Sequence, residues 1–467
     1  MRSPARVLAI VASVAFLIPI CGFLTDPAQT TDADIIVTAA PTYEPLAALR
    51  GPGRNLERFP QGAQLLLLHA GKAEPLVEGF AATADANVGF DAKTVLFAGK
   101  KAAGDPWQIW ELTLKDRTVR RAIETAADAV RPLFLPFGRM VFALRTTQGY
   151  QLESAELDGS GVVQLTYMQA SALPEDVLAD GRILFEASFP LGSRPDKRPT
   201  PELFLVYSDG SGVESYRCDH GAARWGGKQL ASGDVVFTHG ASLARFTSPL
   251  AHETPVAAPR AEYAGTIAET ASGAWLLSAR PAAGAYYTLK LWMPGTETLQ
   301  AITAPSGKDL VEPVLVVPRM RPKRHPSALH DWNYANLLAL DARLSRSGNL
   351  KAAPASVRLE VQDAQGHAVV TGTAPVELDG SFFVKTPADQ PIRFALLDGK
   401  GAVLRQEQGW FWIRRGEQRI CVGCHTGPER ASENRVPAVL LRTTTPVDLS
   451  GINSTGATKS TAPGGNR

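Results

Sequence analysis

The chain has 467 residues, 45% of them hydrophobic, and 48 Lys and Arg balance 46 Asp and Glu to a formal net charge of +2. Near-neutrality, with no basic run interleaved with aromatics, argues against nucleic acid as a partner. The apolar share excludes a largely disordered chain and is enough for two or three domains.

The N-terminus reads MRSPARVLAIVASVAFLIPICGFLT. Arg2 and Arg6 stand before an uncharged apolar run over 7–24, the pattern of an export signal within residues 1–28. The run is also long enough to stay uncut as an N-terminal membrane anchor. Cys21 follows Ile20, where a lipoprotein signal places a small residue, so lipidation is the weaker reading. The expected location is periplasmic or otherwise extracytoplasmic, soluble or tethered by the N-terminus.

Within a propeller domain expected over 45–320, one unit recurs between about residues 60 and 320: a polar turn, a Gly or Asp, then a short apolar strand, often with Phe near its end. It appears as FDAKTVLFAG, LPFGRMVFAL, LADGRILFEA, LASGDVVFTH and TASGAWLLSA, with steps of 43, 52 and 40 residues from Gly138 to Gly181, Gly233 and Gly273. ELDGSGVVQL and YSDGSGVESY supply Asp-Gly-Ser-Gly turns whose glycines suit tight hairpins. Such a period with few helical patterns predicts about six blades of a β-propeller, with the end strands completing one blade together. A β-sandwich with irregular loops is the competing reading.

RMRPKRHPSALHDWNYANLLALDARL breaks the rhythm and predicts an irregular crossing connection over 321–350. SVRLEVQD, PVELDGSFFVKTP and IRFALLDGKG then alternate between Asp-Gly turns and predict a small β-sandwich over 351–415. A haem-binding segment is expected over 416–449. Residues 450–467 have the composition of a disordered tail. The fold class is therefore all-β.

The segment over 416–449 opens with GEQRICVGCHTGPERASENRVP. Beyond the signal the chain has only three cysteines, Cys218, Cys421 and Cys424, too few for a disulfide framework. Cys421, Cys424 and His425 form C-x-x-C-H, in which two thiols attach a c-type haem and the adjacent histidine is the axial ligand to its iron. A redox dithiol belongs between a strand and a helix, and no such unit is legible here. A structural zinc would need a second ligand pair at motif spacing.

Around this motif Trp410 and Trp412, on one face of a strand, are candidates to pack against the porphyrin, while Phe411 suits the domain core. Arg414, Arg415 and Arg419 are candidates for its propionates. His330 and Met320 are candidate second ligands to the iron, with His325 nearby; each is otherwise a surface or turn residue. Cys218 and His220, in SYRCDHGAARWGG, are candidates for a separate metal site, zinc being the metal such ligands favour. No nucleophile elbow, phosphate loop or HExxH motif is present, and no catalytic residue is assigned.

The propeller pattern, the β-domain and RICVGCH with the downstream PERASEN and VP resemble the alpha subunit of hydrazine synthase and exported proteins related to it. The resemblance spans most of residues 60–445 and implies a c-type haem on Cys421 and Cys424, lodged against the propeller. Two departures set this chain apart. It has one haem motif where that subunit has two, and Glu429 stands four positions after the motif histidine, where that enzyme has an iron-binding tyrosine. Hydrazine synthesis is therefore not carried over. The expected role is redox: electron transfer, or small nitrogen- or oxygen-compound chemistry, with a redox partner protein or multi-subunit complex. The alternative is a non-catalytic binding propeller with a structural haem.

Overall fold

The computed structural model describes residues 33–45, 58–59, 61–168, 170–189, 200–217, 223–302, 304–305, 307–345, 348, 350–407, 409–423 and 433–451. The expected signal or anchor, the tail beyond residue 451, and Cys218, His220, Cys424, His425 and Glu429 lie outside these residues.

From Ile35 to Leu315 the described strands form six four-stranded antiparallel sheets, one after another. The exception to chain order is the first, in which Asp309–Leu315 pairs with Ile35–Ala40 and then Gln64–His69 and Lys72–Pro75 follow outward. The two ends of the region thus share one sheet. Ile35–Ala40, which the closing strand Asp309–Leu315 pairs with, lies before residue 45, where the sequence pattern places the start of the propeller. Its IIVTAA is short and lacks the Gly-led turn that marks the other units.

Each recurring unit of the sequence is the turn into a sheet's second strand. Phe97, Phe142, Phe185 and Phe237, in the middle of these strands rather than near their ends, are at most 1% exposed. The reason is stacking: every sheet is covered on both faces, so the second strands read as continuous apolar runs rather than alternating ones. Thr94–Lys100, for example, is buried from its second residue onward. An apolar cluster joins every neighbouring pair of sheets, including the sixth with the first through Leu276 and Leu289 against Val37 and Leu66. Six sheets joined in a closed ring make the fold propeller-like.

The inner strand of each sheet carries a β-bulge, at 84–87, 130–133, 174–176, 225–228, 264–268 and, on the closing strand, 311–314. A bulge bends its strand and re-aims one side chain. Asp85, Arg131 and Glu312 adopt left-handed φ of 57°, 52° and 56° there, and Gly226 and Gly265 occupy the same place in the fifth and sixth sheets. Left-handed backbone is unfavourable for residues with a Cβ, so three such charged residues mark a position the fold over-determines.

Residues 316–334 contain no strand. They run along the loops at one end of the ring: Arg319 N donates to Phe90 O at 2.9 Å, Lys323 N donates to Ala179 O at 3.0 Å, and His325 stacks on Tyr207 at 3.7 Å. They deliver the chain to a second domain beside the third and fourth sheets.

That domain packs two four-stranded sheets around one core containing Leu337, Phe382 and Val384 from one sheet and Val357, Leu359 and Phe394 from the other. One sheet is Ala368–Pro375, Ser356–Gln362, Ile392–Leu397, Val403–Gln406. The other is Gln418–Cys421, Ala335–Ala339, Phe382–Thr386, Val447–Asp448. Two boundaries expected from the sequence shift as a result. Ala335–Ala339 lies in the stretch assigned to the connection, and Gln418–Cys421 and Val447–Asp448 in the stretch assigned to a separate haem segment, yet all three are sandwich strands. They join through parallel pairings between distant residues, which local alternation cannot disclose. Among the described residues no helix is long and apolar enough to cross a membrane.

Candidate functional site

The first half of the C-x-x-C-H motif is set by a sheet edge. Gln418–Cys421 runs parallel to Ala335–Ala339, with Cys421 opposite Ala339. Leu340 N donates to Cys421 O at 2.9 Å, after which the chain leaves the sheet. Cys421 is a free, half-buried thiol packed against the sandwich core, and burial pushes its pKa up. Ile420 beside it is 65% exposed.

Downstream of the motif the chain is fastened again. The Asp379 carboxylate accepts from Ala438 N at 2.8 Å and pairs with Arg435, and Ser381 Oγ accepts from Val439 N at 3.1 Å. Against the opposing effect of burial, the Ser381 hydroxyl and N–H, Ala438 N and Arg435 donate to the Asp379 carboxyl and hold it well below the usual carboxylate range. Both flanks of the motif are thereby tied to strands next to one another in a single sheet.

The segment just before the motif bolts the sandwich to the ring. Trp412 is 1% exposed and packs in the core shared by the third and fourth sheets, 6.5 Å edge-on to Tyr167. Arg414 donates to Tyr167 Oη at 2.7 Å and to Asp209 O at 3.1 Å, and pairs with Asp389 at 2.6 Å. Gly212 N donates to Glu417 Oε1 at 3.2 Å. The Asp209–Gly212 turn, legible only as a hairpin in the sequence, is therefore a docking point. At Gly210, with φ +84°, a Cβ would stand 2.9 Å from Arg414 Nε, so glycine is required twice over.

A titratable group lies in this junction. Glu153 is 6% exposed, and burial lifts its pKa to about 7 against the opposing pull of Arg414. A carboxyl whose folded pKa is raised costs stability as pH climbs from its ordinary value to the folded one. Glu153→Gln is therefore expected to match the wild type near pH 4 and to be more stable by about 1–2 kcal/mol near pH 8, read by denaturant unfolding at the two pH values.

The remaining candidates are scattered by the fold. Phe411 enters the sandwich core, whereas Trp410 is half-buried beneath Arg393, whose guanidinium lies 4.4 Å from its ring. The two tryptophans therefore do not form one wall. His330 stacks on Trp332 at 4.2 Å, and its Nε2 is 2.7 Å from the Gln418 amide. That places it three strand positions before Cys421, about 10 Å along the strand. Met320 is 93% exposed. Arg414 and Arg419 are engaged within the protein, Arg419 donating to Trp412 O at 3.1 Å and pairing with Glu417 at 2.8 Å, while Arg415 is largely exposed. Among the described residues no three His, Cys, Asp or Glu side chains are placed to hold a metal ion.

One constellation was missed by motif reading. At the centre of the ring the bulged residues Asp85, Arg131 and Glu312 meet Arg58, Glu175 and Glu186, all buried. The signal was available: Arg131-Pro132, Pro174-Glu175 and Glu312-Pro313 each put a charge beside a proline inside an apolar inner strand, a pattern that points to a bulge.

For a c-type haem, the described residues fit in chemistry: a free thiol at a strand exit, an exposed aliphatic neighbour, and anchors on both sides. Residues 346–426 match the family model of the hydrazine synthase alpha subunit middle domain. No curated protein matches the sequence significantly. The solved structure of Kuenenia stuttgartiensis hydrazine synthase is similar with a TM-score of 0.74 at 17% identity, over 89% of this chain and 72% of that one. TolB from Acinetobacter baumannii reaches a TM-score of 0.45 at 12% identity over 62% and 67%, too low to carry an argument. Residues 346–426 thus match the hydrazine synthase alpha subunit middle domain, and the chain as a whole shares the fold of that solved hydrazine synthase.

Proposed function

We propose that the chain is an exported mono-haem c-type cytochrome with a redox role, built on a six-bladed propeller and working beside a partner protein in a complex. One observation carries this reading. The matched middle domain runs to residue 426 and so contains Cys421, Cys424 and His425. Cys421 and Cys424 would hold the haem by thioethers, with His425 as axial ligand.

A haem so held supplies reversible one-electron transfer and, where its sixth position is open, binding of small nitrogen or oxygen compounds. The protein's own contribution is placement. The parallel strand pairing fixes Cys421, the Asp379–Arg435 pair fixes the chain beyond the motif, and Trp412 with Arg414 fixes both against the ring. His330 is the first candidate for a second ligand to test and Met320 the next, while Cys218 and His220 are candidates for a separate zinc site. The relative matched here is named as a subunit, which supports a protein partner.

Protein exported to a periplasm with cytochrome c maturation is expected to carry one covalent haem per chain by pyridine haemochrome assay, and Cys421→Ser to lose the two-thioether spectrum. Absence of covalent haem overturns the reading. A carbon monoxide shift of the reduced spectrum assigns small-molecule chemistry, and an unresponsive spectrum assigns electron transfer with His330→Ala as the next variant.

A further inference from the structure

The connection that leaves the closing strand is strongly basic. Residues 316–330 read VVPRMRPKRHPSALH, with Arg319, Arg321, Lys323 and Arg324 and no Asp or Glu. Pro318, Pro322 and Pro326 keep it out of helix and leave few N–H groups for a sheet. The ring fixes its path instead. Arg319 N and Lys323 N are bonded to Phe90 O and Ala179 O, and at Gly181, with φ +91°, a Cβ would collide with Lys323 O. The segment is therefore a strap pressed onto the loops at one end of the ring.

Its four cations divide into one that binds inward and three that do not. Arg319 donates to Val88 O at 2.9 Å and to Asn87 Oδ1 at 3.2 Å, and lies 4.7 Å from the Phe90 ring. Arg321, Lys323 and Arg324 are exposed and form no ion pair among the described residues. Acids of the turns beneath are already matched, Asp91 by Lys93 at 3.9 Å and Asp180 by Arg182 at 2.8 Å. Three like charges within four residues repel one another and gain no partner in the fold, which points outward.

Apolar side chains stand among these cations. Met320 is 93% exposed, Val317 37%, and Phe137, whose ring lies 5.3 Å from the Arg324 guanidinium, 66%. Phe137 adopts a left-handed φ of 64° in the turn into Arg139–Thr146, a conformation that bulky residues avoid. Cations interleaved with exposed apolar tips fit an anionic headgroup layer, where phosphates meet the charges and the tips enter beneath them. A folded acidic partner would instead be expected to meet one contiguous apolar centre inside a polar rim. The chain path adds an independent argument. Val316 N donates to Asp34 O at 2.9 Å, so the N-terminal chain, with its apolar run over 7–24, joins the ring at the end that carries the strap.

We propose that the strap over 317–325, with Phe137, is a contact surface for an anionic lipid layer, which Arg321, Lys323 and Arg324 recognise and Met320 and Phe137 enter. The inference is independent of the haem itself, though it takes Met320 for lipid rather than iron.

The test uses the exported full chain, with Met320 as the probe. Chloramine-T converts exposed methionine to its sulfoxide, and mass spectrometry follows the peptide that carries Met320. Phosphatidylglycerol vesicles are expected to slow that oxidation several-fold and phosphatidylcholine vesicles to leave it unchanged, with added salt restoring the rate. An apolar anchor inserts into both lipids alike, so the contrast between them reads the strap. In the triple variant Arg321→Gln, Lys323→Gln, Arg324→Gln, the lipid concentration giving half protection is expected to rise about hundredfold, from roughly fivefold for each surface cation. The same charge loss at Arg260, Lys351 and Lys400, exposed residues off the strap, is expected to keep most of the protection. Equal oxidation with both lipids overturns the proposal, as does a Met320 that resists oxidation before any lipid is added. Protection by soluble polyglutamate equal to that by phosphatidylglycerol overturns it in favour of an acidic protein partner.

Discussion

Arg131→Met is expected to lower stability by about 3–5 kcal/mol at neutral pH, the cost of leaving a buried charge without its partner. Arg131 is the guanidinium that serves Glu175 and lies beside Glu312, and its own side chain is almost wholly buried. Methionine keeps much of the volume but none of the charge, so the loss reports electrostatics rather than a cavity. It also has a pH signature. Without Arg131 the carboxyls of Glu175 and Glu312 bind protons more readily, so the deficit is expected to shrink towards pH 5. Urea unfolding of both proteins at two pH values checks it. A deficit that does not change with pH would mean that Arg131 acts through packing, and pairing the change with Glu312→Gln in a double-mutant cycle measures the coupling directly.

The second large effect is expected at the junction. Trp412→Ala removes a side chain that is 1% exposed in the core shared by the third and fourth sheets, and such truncations cost about 3–5 kcal/mol. Because Trp412 ties the sandwich to the ring, calorimetry is expected to resolve two transitions in the variant where the wild type shows one. Trp412→Phe is expected to be far milder. The buried indole N–H has no acceptor among the described residues, so its removal relieves an unpaired polar group and offsets part of the lost packing. A single unshifted transition in Trp412→Ala would show that Arg414 and Glu417 hold the two domains together without it.

The legible and hidden parts of this fold divide by range. The repeated Gly-led turns and the Phe of each second strand were visible because they recur locally, and burial on both faces writes continuous apolar runs into the chain. The C-x-x-C-H motif was visible because its chemistry depends on adjacent residues. What was hidden depends on partners far along the chain. The pairing of Ala335–Ala339 with Gln418–Cys421 crosses the whole sandwich, and Arg414 looked like a residue for propionates until the Asp209–Gly212 turn arrived beside it. Trp410 and Trp412 alternate as strand neighbours should, yet the bend into the ring sends one under Arg393 and the other into a different domain's core.

By itself, then, the sequence determined the all-β class, the repeat, the turn positions and the thiol pair with its histidine, since periodicity and motif spacing are properties of neighbouring residues. Only the tertiary structure decided that Ile35–Ala40 and Asp309–Leu315 close the ring, that the motif strand is a sandwich edge, and that charges from four sheets and the segment after the first strand meet at one buried point. The physical reason is the same each time. Bulges and long-range pairing bring together groups whose energies depend on who surrounds them, and a buried carboxyl reads in the sequence like any exposed one until its partners are in place.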